Sequence, residues 1–234
     1  MTTHGHCHPR IVEAIRALAG QLDRLIFVGQ TQEPAEAVAQ GLRALLPAEL
    51  TRVLFSDSGS TSIEVALKMT TGFWAHTAKP RSRLLVLEHS YHGDTISAMS
   101  VGERGVFHAP YAPLLFDVEC TPYPAGDCAN TLDALEAACR REPAAFIVEP
   151  LVLGAGGMLM YLHALLADMA ASSRRDDVLL IADEVMTGWD RTGTLLGCEQ
   201  AGVVPDILCL AKGNTGGSIP LAVAMAREDI FMAH

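Results

Sequence analysis

The sequence predicts an α/β fold: a mostly parallel sheet with helices on both faces. Three observations lead there. Short apolar runs rich in β-branched residues alternate with longer stretches of helical spacing, the pattern of strands joined by crossover helices. The runs are apolar throughout, as central parallel strands buried on both faces are. Each run also gives way to polar or glycine-containing sequence, where a strand leaves its sheet.

Taken in order, residues 11–22 carry a helical pattern after a His/Gly-rich turn, and Arg52–Ser56 reads as the first strand. Residues 61–76 then bring Ile63, Ala66, Leu67 and Trp74 near one helical face, and residues 84–88 form the second strand. Residues 90–124 mix polarity, with several aromatics and four prolines in the later half, so a helix followed by a loop is expected there, outside the regular layers. Further strands are expected at Ala145–Val148, 178–182 and Ile207–Leu210. Helices are expected over 132–140 and 162–172, and residues 227–234 read as a helix just begun. The chain shows no internal repeat and no low-complexity segment.

A length of 234 residues, half of them hydrophobic, suits one large core. A formal charge of −10 without any Lys/Arg-rich run argues against nucleic acid or an anionic membrane surface as partner, since both would repel it. A small-molecule or protein partner fits better. The longest apolar runs are of strand length, short of the ~20 residues a membrane helix needs. Six cysteines without close-paired spacing, and the absence of a basic-then-apolar leader, predict a cytoplasmic protein with reduced thiols.

The most informative constellation is Asp183-Glu184 at the end of one buried run and Lys212-Gly213 at the end of the next. In an open parallel sheet, ligands bind beyond the carboxyl ends of the strands, so this acid and amine can face one crevice. A pyridoxal cofactor needs both: a lysine to form a Schiff base with its aldehyde, and an acid to keep its pyridine nitrogen protonated. An ordinary ion pair, or a solvated strand-end lysine, is the plainer reading of the same residues. The turn Ser56-Asp57-Ser58-Gly59-Ser60-Thr61 leads from a strand into a helix, and exposed N–H groups there suit a phosphate, although Ser58 or Ser60 could simply cap the helix. Tyr91, in Ser90-Tyr91-His92-Gly93-Asp94-Thr95, offers a ring that could stack on a planar cofactor or belong to the core rim. Glu149-Pro150 adds a carboxylate at the same edge, and Gly154-Ala155-Gly156-Gly157 allows a tight turn beyond it. His4, His6, Cys7 and His8 are metal-type ligands without a second pair elsewhere, so no metal is assigned.

In this order, His4-Gly5-His6-Cys7-His8-Pro9, Asp57-Ser58-Gly59-Ser60, Tyr91-His92-Gly93-Asp94-Thr95, Glu149-Pro150, Asp183-Glu184-Val185 and Lys212-Gly213 resemble the class III aminotransferases of fold type I, along nearly the whole chain. The resemblance implies pyridoxal 5'-phosphate as cofactor. It makes Lys212 the cofactor lysine and proton shuttle, Asp183 the partner of the pyridine nitrogen, Gly59 and Ser60 the phosphate cradle, and Tyr91 the ring over the cofactor. Tyr91 and Lys212 would also meet the substrate.

The resemblance further implies a homodimer, with a small-molecule amino donor and a keto acceptor. Residues 1–50 would lead into a cofactor-binding large domain over 51–234. The family's preceding segment would lie before His4, and its small C-terminal domain beyond His234. Gly154-Ala155-Gly156-Gly157-Met158, Met160-Tyr161 and Cys198-Glu199 look most like the biotin-pathway branch, in which an amino group passes from S-adenosylmethionine to 8-amino-7-oxononanoate. Two residues depart from the family pattern: Asp190 stands at a usual glycine, and Asn214 at a usual hydrophobic position. A non-catalytic remnant or interaction domain, or an enzyme with another ω-amino donor, are the alternative expectations.

Overall fold

The computed structural model describes residues 4–21, 29–105, 108–126 and 128–233. Its centre is a seven-stranded sheet built from β1 (Arg52–Ser56), β2 (Leu84–Leu87), β3 (Glu119–Thr121), β4 (Ala145–Val148), β7 (Leu179–Asp183), β8 (Ile207–Leu210) and β9 (Ala222–Ala226). The spatial order is β1-β9-β8-β7-β4-β2-β3. Five strands, from β8 to β3, run parallel, whereas β9 is antiparallel to both β8 and β1. A two-stranded hairpin, β5 (Val152–Leu153) with β6 (Leu159–Met160), stands apart.

The central strands bury alternate residues on opposite sides. Val86, Ile147, Ile181, Ile207 and Ala224 join Ile63, Ala66, Leu67 and Trp74 of α3 (Gly59–Ala75) in one core. Leu85, Phe146, Leu180, Leu208 and Val223 join Leu135 of α5 (Cys128–Cys139) and Leu166 and Met169 of α6 (His163–Arg175) in the other. Covered on both faces, these strands have no need of polar alternation. Trp74 adds a polar anchor: its indole N–H donates to Ala144 O at 2.8 Å, tying α3 to the start of β4.

The remaining helices are short or peripheral: α1 (Pro9–Ala19), α2 (Glu33–Leu45), α4 (Ile96–Ser100), α7 (Gly197–Gln200) and α8 (Glu228–Met232). No residue of α1 is buried. The ends of the expected 11–22 and 227–234 helices, Leu22 and His234, lie outside the described residues.

The structure corrects three expectations. β1 is an edge strand, antiparallel to β9 and only partly buried, where a central parallel strand was expected. Its apolar run cannot distinguish edge from centre. The 90–124 stretch does contribute a layer element, because β3 pairs parallel to β2 at the opposite edge, but three residues are too few to show a pattern. β9 went unanticipated: Ala-Val-Ala-Met-Ala carries little β propensity, and the strand is specified by complete burial between β1 and β8.

Candidate active site

The two reversals at β9 return β1 to the direction of the parallel strands, so the carboxyl ends of β1, β2, β4, β7 and β8 share one edge. A cavity of about 620 Å³ opens there. Gly59, Ser60, Tyr91, Glu149, Asp183 and Lys212 all line it, so the expected residues, scattered over the sequence, converge on one crevice.

The cradle comes from β1 and α3. Ser58 caps the helix, its hydroxyl accepting from Thr61 N at 3.2 Å while Thr61 Oγ1 accepts from Ser58 N at 2.8 Å. Capping therefore falls to Ser58 and Thr61. Gly59 and Ser60 are the first two helical residues, whose N–H groups have no acceptor within the helix. Ser60 Oγ accepts from Asp94 N at 3.1 Å, which docks the Tyr91 loop against the helix start. The approach is close enough that a Cβ on Gly93, whose φ is 131°, would fall 2.0 Å from Ser60 Oγ.

Asp183 ends β7. Its Oδ2 lies 2.7 Å from His92 Nδ1, and its Oδ1 accepts from Val185 N at 3.0 Å. The His92 ring is fully buried. Burial disfavours its cation, but the Asp183 hydrogen bond and the charges of Asp183 and Glu149 outweigh that and raise its pKa. The sequence reading gave His92 no role, because nothing in the pattern of a loop shows which way its ring turns. Its Nε2 has no hydrogen-bond partner among the described residues.

Glu149, just past β4, is buried. Oε1 accepts from Tyr91 N at 3.0 Å and Oε2 from Gly154 N at 2.9 Å. Burial pushes its carboxyl up to about 7; the His92 charge and the two backbone bonds counteract this, and Asp183 adds to it. Glu149 thus fastens the Tyr91 loop and the β5–β6 hairpin to the sheet edge. The glycine run 154–157 makes the hairpin turn, as expected of a structural element. The Tyr91 hydroxyl donates to Asp94 Oδ2 at 2.9 Å, and its pKa is pushed up to about 12, first by burial and then by that bond.

Lys212 begins a single 3-10 turn after β8, with φ at 46°. Burial lowers its pKa, with Arg191 acting in the same direction and Asp183 and Glu149 opposing. An amine depressed in this way is more readily available as the free base, the form that attacks a carbonyl. The donor set, with hydrogen-bond donors at a helix start, a carboxylate at one strand end and an amine at the next, fits a phosphorylated aldehyde bearing a basic ring nitrogen. Among the described residues no group of three or more His, Cys, Asp or Glu is placed to hold a metal ion, and no helix is long and apolar enough to cross a membrane.

Known proteins are similar to this chain in sequence and in fold. The chain is 50% identical to the adenosylmethionine-8-amino-7-oxononanoate aminotransferase of Synechococcus elongatus, over 97% of the chain and 56% of that protein. It is 37% identical to the enzyme of that name from Geobacter sulfurreducens, over 98% and 54%. The chain therefore spans just over half the length of these curated relatives. Its fold superposes with a TM-score of 0.92 on the crystal structure of the Methanocaldococcus jannaschii adenosylmethionine-8-amino-7-oxononanoate aminotransferase, at 32% identity over 98% of this chain and 54% of that one. The TM-score is 0.93 on a PLP-bound amine transaminase from an uncultivated Pseudomonas species, at 34% identity over 99% and 56%. With the family model for class-III aminotransferases matching residues 1–234 throughout, the chain belongs to the class-III aminotransferases.

Proposed function

We propose that this chain supplies the cofactor-binding large domain, over residues 51–234, of a pyridoxal-phosphate-dependent aminotransferase that passes an amino group from S-adenosylmethionine to 8-amino-7-oxononanoate, giving 7,8-diaminononanoate for biotin synthesis. The observation that carries the chemistry is the delivery of Asp183 and Lys212 by adjacent strands into one cavity beside the start of α3. The relatives' shared name carries the substrate pair.

Bound pyridoxal phosphate supplies the electron sink that makes a substrate Cα–H bond acidic. Gly59 and Ser60 would offer the phosphate their N–H groups. Asp183 would meet the pyridine nitrogen, with His92 holding that carboxylate in place. Tyr91 would cover the cofactor and border the substrate. Lys212 would hold the cofactor through its amine and, as a free base, would carry the Cα proton. The lowered pKa of Lys212 supports both roles.

The enzyme acts as a homodimer in the cytoplasm. The uncovered apolar residues of α1 and α2 support the first point, and six free cysteines the second.

Mixing the cofactor-loaded chain with S-adenosylmethionine tests the substrate assignment. Conversion to the pyridoxamine form, followed by its reversal on adding 8-amino-7-oxononanoate, is expected. Conversion by simple ω-amines but not by S-adenosylmethionine would replace the donor assignment while leaving the cofactor roles intact.

A further inference from the structure

Lys212 sits in a backbone conformation that costs energy. A φ of 46° places a residue with a Cβ in the left-handed region, and such a residue persists only where its surroundings over-determine it. The Asn214 side chain supplies the restraint. Its Oδ1 accepts from Trp189 Nε1 at 2.7 Å, and its Nδ2 donates to Leu210 O at 3.3 Å and to Leu221 O at 3.4 Å. The Asn214 backbone N–H donates to Ala211 O at 3.2 Å, closing the turn around Lys212.

One amide thus joins the last residue of β8, the residue before β9 and the loop that follows Asp183. Trp189 adds packing to the bond, because a Cβ on Gly213 would lie 2.3 Å from its Cδ1, leaving room only for glycine beside the lysine. Trp189 is itself held left-handed at φ 62°, its N–H donating to Leu195 O at 2.8 Å. The indole therefore has a fixed platform from which to hold Asn214.

We propose that Asn214 is a positioning residue: by joining Trp189 to the ends of β8 and β9, it keeps the Lys212 turn in the form that directs the lysine amine into the cavity. This rests on Lys212 being the cofactor lysine. A lysine released from the restraint samples other turn conformations, and its apparent affinity for the cofactor falls by the fraction of time it is misplaced.

The full chain is titrated with pyridoxal 5'-phosphate, reduced with borohydride, and the fraction of labelled Lys212 is read by peptide mass. Melting of the cofactor-free protein is recorded alongside. Asn214→Ala is expected to raise the half-saturating cofactor concentration about tenfold. Trp189→Phe, which keeps a ring over Gly213 and removes the donor, is expected to raise it less. The double variant should be no worse than Asn214→Ala, because the bond that Trp189→Phe removes is already lost in Asn214→Ala.

A lowered melting temperature with unchanged half-saturation, or additive losses in the double variant, would overturn the proposal. Should Asn214→Ala fail to fold, Trp189→Phe decides alone, and an unchanged half-saturation in it has the same consequence. A parent chain that takes no label on Lys212 overturns the cofactor assignment, and this proposal with it.

Discussion

Glu149 shows how one side chain serves structure and constrains chemistry together. Held near pKa 7 by burial, against an ordinary value of 4.5, it keeps its proton in the fold over a range where the unfolded chain has lost it. The folded state then binds more protons than the unfolded one, so this group's contribution to stability is present below about pH 4.5 and is lost as pH rises through 7. The total is on the order of 3 kcal/mol. Glu149→Gln keeps an acceptor for Tyr91 N or Gly154 N and removes the titration. The stability of the parent relative to Glu149→Gln, from urea denaturation at a series of pH values, is expected to decline between about pH 5 and 7. A difference that stays constant over that range would contradict the burial argument.

Glu149 also marks how far residues could be read in advance. The sequence placed it at the right edge, since a strand-end acid followed by proline is visible, whereas its two N–H donors lie 58 and five positions away. His92 was less legible still. Its motif was visible, but its contact with Asp183 spans 91 residues and follows only from the packing of β2 beside β4 and β4 beside β7.

Among elements, legibility followed burial and length. β2, β4, β7 and β8 are dense apolar runs whose limits in the sequence agree with the structure to within a residue. α3 begins two residues earlier than its periodicity suggests, because the first turn is made by Gly59 and Ser60, which belong to the site and not to the apolar stripe. β9 and β3 were missed because alanine and a three-residue edge carry no signal; neighbouring strands specify both.

α1 and α2 present the reverse case, helices with apolar residues and little to cover them. Ile15 and Leu18 are each 44% exposed, Val38 40% and Leu45 60%. Uncovered apolar residues on surface helices are a normal site of self-association. The parent chain is therefore expected to sediment as a dimer, and Ile15→Glu with Leu18→Glu to shift it toward monomer. A parent that stays monomeric at high concentration, or a dimer indifferent to both changes, would refute this use of the α1 face.

At the scale of the whole molecule, the site exists because of topology. Five strand ends share one edge, and the site residues gathered there, from Gly59 to Lys212, are spread over most of the chain. Order along the sequence revealed which groups belonged together; distance along it hid how they touch. Asn214 illustrates the limit. As a departure from the family pattern it pointed in the sequence to a tolerated change or to relaxed selection, whereas in the fold it connects three segments around the lysine.

The claim on which the rest depends is that Lys212 holds the cofactor. The chain has only three lysines, Lys68, Lys79 and Lys212, so covalent labelling can be assigned without ambiguity. The direct test is borohydride reduction of the chain after incubation with pyridoxal 5'-phosphate, followed by peptide mass mapping. The label is expected on Lys212 in the parent and to disappear in Lys212→Ala, with Lys68 and Lys79 unmodified at stoichiometric cofactor. Label on Lys68 or Lys79 in place of Lys212, or equal labelling of parent and variant, would contradict the assignment.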